Sequence, residues 1–241
     1  SEEGLEARLI HQVGGTVTVK SSDDGLNAKD WTLESSEGQG PGQQTKTVKA
    51  EAANVKNLNQ AGEVKIVIDG GTLTVDAEGD GLDANGSIEI NGGTVVVNGP
   101  TSGANAALDY DDNGKLNGGT VLFVDNGEMT MGFGSDSSQA FLMASVQGTA
   151  GTTVEVVDSS GKTVASLKAS KSFSTVLISS PEIKEGEKYT IKVGSNSTTA
   201  TASKQAANTS GRPGQGGPGG GQPGQGGPGG QPGQGGRPGG R

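Results

Sequence analysis

The stretch DGLDANGSIEINGGTVVVN, residues 80–98, decides the fold class. It joins two phrases that recur elsewhere in the chain. The first, Asp80-Gly81-Leu82-Asp83-Ala84, has counterparts at Glu3-Gly4-Leu5-Glu6-Ala7 and Asp24-Gly25-Leu26-Asn27-Ala28, and a drifted copy at Ala106-Ala107-Leu108-Asp109-Tyr110. The second is Gly-Gly-Thr followed by alternating apolar residues, and it begins at Gly14, Gly70, Gly92 and Gly118. The last two intervals are 22 and 26 residues, and the first, 56, contains a polar segment over residues 36–62. A period in the low twenties, carried by Val/Ile/Thr-rich runs between Gly, Asn and Asp turns, predicts a solenoid of stacked parallel strands. Leucine-rich repeats share the period, but their leucine framework is missing. The expected strands are residues 16–19, 65–68, 72–75, 87–90, 94–97 and 120–124. Three short strands per coil make a parallel β-helix, each coil stacked on the next at ~4.8 Å, with glycine pairs at the corners.

The style changes near residue 139. Residues 141–146, 153–157, 163–168, 174–178 and 189–193 read as antiparallel strands, with a hairpin turn at Asp158-Ser159-Ser160-Gly161. The expected organisation is therefore all-β: a parallel β-helix over residues 1–138 with the insertion at 36–62, then a small antiparallel cap over 139–194. A Ser/Thr/Ala linker over 195–210 and a Gly/Pro/Gln tail over 211–241 complete it. The tail holds 17 of the 45 glycines, 6 of the 9 prolines and Arg212, Arg237 and Arg241, with no acid. Residues 1–210 keep 15 Lys+Arg against 27 Asp+Glu, a surplus of 12 acids.

This balance excludes several classes. Zero cysteines and the single His11 exclude disulfides, thiol chemistry and thiolate or histidine-rich metal sites. An acidic body lacks the basic footprint of a nucleic-acid binder. No run approaches the ~20 apolar residues of a membrane span. No signal peptide is read ahead of Ser1, so the chain reads as a mature protein or a fragment.

Superimposing the repeated phrases places Leu5, Leu26, Leu82 and Leu108 in one inward column and Ala7, Ala28 and Ala84 in another. Glu6, Asn27, Asp83 and Asp109 form an outward column, and Glu3, Asp24 and Asp80 a second. Carboxylates one coil apart repel by ~3 kcal/mol per pair at an effective dielectric of ~20. A hard divalent cation cancels that repulsion, and calcium accepts carboxylate, amide and carbonyl oxygens in flexible geometry. Two loops follow D-x-[DE]-x-[DN]-G: Asp76, Glu78 and Asp80 in one, Asp109, Asp111 and Asn113 in the other. Neither carries the terminal Glu of an EF-hand. The candidate metal ligands are thus Asp24, Asn27, Asp76, Glu78, Asp80, Asp83, Asp109, Asp111 and Asn113. Tyr110 and Trp31 are candidates for sugar stacking; packing is the alternative for both, with Tyr110 ending the alanine column.

The string DGLDANGSIEINGGTVVVNGPTSG, residues 80–103, resembles the bacterial cell-surface proteins known as carbohydrate-binding domain-containing proteins. The segments around Ala106–Asp111, Leu116–Thr120 and residues 127–139, and Val176-Leu177-Ile178-Ser179-Ser180-Pro181, are also similar to that family, so the match covers most of residues 1–194. It does not extend to the tail. The resemblance implies a right-handed β-helix with bound calcium, extracellular, non-catalytic, adhering to acidic pectin-like or cellulosic polysaccharide. It places the ligands best on Asp24, Asp80, Asp83, Asp109 and Asp111.

Pectin-cleaving β-helices need calcium and a basic residue, typically arginine, to take the α-proton. The body offers only Arg8, and His11 reads as a strand-face residue, so no enzyme is expected. The other expectation is structural: a filament or surface layer assembled head to tail through residues 1–10 and the tail, 211–241.

Overall fold

The computed structural model describes residues 2–30 and 63–205. Their regular structure is β throughout, and no helix occurs among them. The chain visits three sheets in rotation, four times. Sheet A holds β1 (Leu5–Ala7), β4 (Leu26–Ala28), β7 (Leu82–Ala84) and β10 (Leu108–Tyr110). Sheet B holds β2 (Leu9–Gln12), β5 (Lys65–Ile68), β8 (Ser87–Ile90) and β11 (Asn113–Leu116). Sheet C holds β3 (Thr16–Ser21), β6 (Thr72–Ala77), β9 (Thr94–Asn98) and β12 (Thr120–Asp125). Within these sets every pairing is parallel, each strand lying against the one three places on. No sheet closes on itself.

Strand alternation turns one face of all three sheets onto a common core. Leu26 and Leu82 from sheet A, Ile66, Ile68 and Ile88 from sheet B, and Leu73, Val75 and Val97 from sheet C are buried together. Each such side chain contributes roughly 1.5–3 kcal/mol of burial. The Gly-Gly corners follow from crowding as much as from turning. Gly93 has φ of 85°, and a Cβ built on it would stand 2.6 Å from the carbonyl oxygen of Gly71 on the adjacent coil. Only glycine satisfies both conditions.

Beyond β12 the chain extends the same sheet. β13 (Leu142–Gly148) and β16 (Phe173–Ser179) join sheet C antiparallel, in the order β13-β16-β12-β9. Sheet D, built from β14 (Thr153–Val157), β15 (Thr163–Lys168), β17 (Lys188–Val193) and β18 (Asn196–Thr201), supplies a second core. Leu122 and Val124, on the face of β12 opposite Val121 and Phe123, pack there with Leu142, Ile178, Val154 and Ile191. A strand buried on both faces reads as a continuous apolar run, which is the Val121-Leu122-Phe123-Val124 pattern.

Antiparallel pairing begins with β13 at Leu142, and sheet C runs continuously into it through β16. One sequence boundary changes. The linker expected over 195–210 begins with β18, which pairs along its length with β17. Its Ser/Thr-rich alternation is that of an edge strand whose outer face is wet. The tail, 211–241, and the insertion, 36–62, lie outside the described residues.

The far end of the parallel stack is closed. β16 covers the free side of β12, and residues 134–139 run along the outer side of β11. The N–H of Gly134 donates to the Gly114 carbonyl, that of Gln139 to the Leu116 carbonyl, and the Tyr110 hydroxyl to the Gly132 carbonyl.

Lys171, in the turn before β16, ties the second layer to β6. Its ammonium lies 3.1 Å from Asp76 and 3.0 Å from Glu78, and donates to the Ala77 carbonyl at 2.5 Å. Only 12% of the Lys171 side chain is exposed, while Glu78 is half exposed. Lys171→Met leaves two neighbouring carboxylates without their cation. The expected loss is roughly 1–3 kcal/mol, discounted for the exposure of Glu78. Urea denaturation of the variant checks it.

Candidate cation-binding site

The register of sheet A aligns the repeated phrases as their sequence spacing implies. Leu5, Leu26, Leu82 and Leu108 stand in line, beside Glu6, Asn27, Asp83 and Asp109, and then Ala7, Ala28, Ala84 and Tyr110. Inward positions are buried from β4 onward, and the middle column carries the chemistry.

The second acidic column does two jobs. Asp24 Oδ1 accepts the N–H of Asp80 at 2.8 Å, and Asp80 Oδ1 accepts the N–H of Ala106 at 2.5 Å. Each carboxylate thus satisfies a backbone donor one coil further on and is held in a fixed orientation. Asn27 links the two columns. Its Nδ2 donates to Asp24 Oδ2 at 3.1 Å and to Glu3 Oε1 at 3.4 Å. Those two carboxylates fix the amide orientation, since flipping it would aim Oδ1 at both of them. Asn27 is 5% exposed, and among the described residues its Oδ1 is a buried acceptor with no donor; Glu3 Oε2 is another. Buried acceptors without donors cost about 1–3 kcal/mol each.

The electrostatics agree. Burial, reinforced by the charges of Asp24, Asp80, Asp109 and Asp111, pushes the Asp83 carboxyl up to about 7. Burial raises Asp80 to about 6, against the opposing hydrogen bond from Ala106 and with Asp24 and Asp109 adding to the rise. Glu3 and Asp24 are also raised, chiefly by burial. These groups face one another closely enough that their charges are coupled.

The other candidates separate. Asp76 and Glu78 do not converge with Asp80: they hold Lys171, so a lysine ammonium takes the place expected for a metal ion. The loop expected from Asp109, Asp111 and Asn113 is split by strands. Asp109 lies on β10 in the acidic column, the Asn85 amide reaches Asp111 at 3.5 Å, and Asn113 opens β11 with its amide on Asp136. Among the described residues no three carboxylate or imidazole groups converge on one metal-ligating point. A cation on this face would draw on amide and backbone oxygens as well as carboxylates.

Tyr110 is not a surface platform. It is 8% exposed, ends the alanine column, and donates its hydroxyl to the Gly132 carbonyl at 2.7 Å. Its ring fills the space where a Cβ at Gly114 would lie, 2.3 Å from Cε1. Packing was the right reading of this residue. Trp31 lies outside the described residues.

The sequence reading also overlooked a polar ladder at the sheet B to sheet C corner. His11 Nε2 meets Asp69 at 2.7 Å, the Asn91 amide donates to Asp69 at 2.8 Å, and the Asn117 amide donates to Asn91 at 2.9 Å. Its signal was the Asp or Asn that precedes Gly70, Gly92 and Gly118. Comparison of the chain with family models, with curated proteins and with solved structures returns no match.

Proposed function

We propose that this protein is an extracellular, non-catalytic polysaccharide-binding protein, a right-handed parallel β-helix whose acidic face binds calcium and, with it, an acidic pectin-like glycan. The observation that carries the reading is the donorless Oδ1 of Asn27, buried inside a column of carboxylates held one coil apart. The threefold rotation of parallel strands supports the architecture.

Asn27 Oδ1 and Glu3 Oε2, with backbone carbonyl oxygens and water completing the shell, are the oxygens that would hold an ion, and Asp80, Asp83 and Asp109 add negative charge along the same face. Bound calcium supplies positive charge against the column's repulsion and coordination positions for a uronate carboxylate. The chain's own groups prepare the face. Backbone N–H groups orient Asp24 and Asp80, and the Asn27 amide donor holds Glu3 beside Asp24. Burial of Tyr110 removes one of the two aromatic platforms considered for neutral sugars, which favours acidic polymers over cellulose. Arg8 is engaged by Asp30 at 2.9 Å and His11 by Asp69, which favours binding over lyase chemistry.

Retention on immobilised polygalacturonate tests the reading. Binding is expected with calcium and lost in chelator, with Asn27→Leu weakening it at least ~10-fold through loss of one ligand and its support of Glu3. Equal retention in calcium and chelator, or none in either, overturns it.

A further inference from the structure

We propose that two loops at the sheet C to sheet A corner, residues 99–107 and 126–131, form the wall that contacts the glycan and sets which polymer is held. The proposal rests on the polysaccharide reading above and names the residues that recognise the sugar.

Loop length singles this corner out. Four residues connect β3 to β4 and four connect β6 to β7, whereas nine connect β9 to β10. Extra length in a stacked repeat is carried outward, and such loops gather on the side that binds. Residues 99–107 leave sheet C and return almost to their starting point, as a compact surface loop does. A Cβ on Gly99 would stand 2.8 Å from Ala107 Cα, so the two ends touch. Between them Thr101, Ser102, Gly103 and Ala104 are exposed. The loop after β12 carries Met129, 38% exposed, beside exposed Glu128. The end of the core is covered further along, by Met131 and Phe133, and the loop tips take no part in that cover.

An exposed loop of small residues has little packing to hold it, yet this pair is fixed from below. Asp125 is only 4% exposed. Its Oδ2 accepts the Ala107 N–H at 3.2 Å, and its Oδ1 accepts the Gly127 N–H at 2.9 Å and the Thr130 hydroxyl at 2.8 Å. One buried carboxylate thus anchors both loops. Asn126 joins them at the surface, donating to the Gly103 carbonyl at 2.8 Å and accepting the Glu128 N–H at 2.7 Å. Burying a carboxylate to order two solvent-facing loops is costly, and it is the arrangement expected where the shape of those loops is used.

Position supplies the ligand. The Ala106 N–H is bonded to Asp80 Oδ1 at 2.5 Å, and Asp109 follows three residues later on β10. The loops therefore stand beside the last coil of the acidic column. Asn27 on β4 lies two coils away, about 10 Å at the strand spacing. A glycan chain gripped through calcium near Asn27 and running along the column would meet the loops over that distance. There Thr101 and Ser102 offer hydroxyls, Asn105 an amide, and Met129 an apolar surface for the carbon–hydrogen face of a sugar ring. None of these side chains is cationic, so the loops recognise hydroxyl pattern and ring shape and leave the uronate charge to the ion.

Retention of the whole chain on immobilised polygalacturonate in calcium tests this. Three surface variants are compared with the parent: Thr101→Gly with Ser102→Gly, Met129→Ala, and Asn126→Ala, which removes the tie between the loops. Each should weaken retention roughly 5–10-fold, the effect of one or two lost contacts. The melting temperature, and its rise on adding calcium, should stay at the parent's values, which separates sugar contact from loss of structure or of the ion. The parent should also discriminate between polygalacturonate and alginate, a uronate polymer of different ring geometry, and the variants should lose that discrimination. Variants that bind and discriminate as the parent does overturn the proposal and leave the polysaccharide reading standing. No retention of the parent in calcium overturns both.

Discussion

Gly81→Ala destabilises the parallel stack by roughly 3–5 kcal/mol, a large part of the stability of a domain this size. The added Cβ would sit 2.2 Å from Val97 Cγ1 and 2.5 Å from the Ala107 carbonyl oxygen. Val97 is fully buried and has no room to turn away. The Ala107 carbonyl already accepts the Leu82 N–H, so moving it breaks a rung of sheet A. Relief therefore means separating β7 from β10, which also disturbs the neighbouring Asp80–Ala106 and Asp83–Asp109 relations. Thermal denaturation followed in the far ultraviolet reads the effect. A melting temperature within a degree or so of the parent would show that the coils slide apart cheaply.

The second large effect is a pH dependence that calcium removes. Asp80 and Asp83 are raised to about 6 and about 7 from 3.8, so between pH ~4 and ~7 the folded protein holds protons that the unfolded chain has released. The folded state then binds more protons, and stability falls as pH rises through that window and is level above it. The displacement of Asp83 alone corresponds to roughly 4 kcal/mol, and because the carboxylates titrate together the whole group is of that order. Glu3 and Asp24 shift in the same direction. A cation that binds the ionised column offsets the loss, so millimolar calcium should raise the melting temperature at neutral pH and flatten the profile. Scanning calorimetry across the window, with calcium and with chelator, checks both parts. Superimposable profiles would count against a cation on this face.

The stacking itself was legible because sequence repetition and strand register are the same information. Once Leu5, Leu26, Leu82 and Leu108 recur in one phrase, period-two alternation fixes what lies beside them, and the observed pairings follow. Tertiary partners were not legible. Asp76 and Glu78 sit at ligand-like spacing, but their cation is Lys171, 95 residues beyond Asp76 and in an unremarkable Lys-Ser-Phe context. Local spacing also fails to say where a corner between two sheets will fall, as it does between Asp109 on β10 and Asn113 on β11. β18 was missed because Ser and Thr dominate turns and wet edge strands alike. The drift from Gly to Ala at residue 107 looked like decay of the repeat, whereas it marks where stacking stops.

The Lys171 clamp gives the molecule a direction. One side of the coils is neutralised by a covalently tethered amine, which no chelator removes and no dilution releases. The acidic face depends on whatever the surroundings provide. The free energy of opening then differs around the coils, lowest on the acidic side at β1 and β4 and highest where β6 meets the second layer. Amide exchange should begin on the acidic side, at β1 and β4, while the side held by Lys171 keeps its protection.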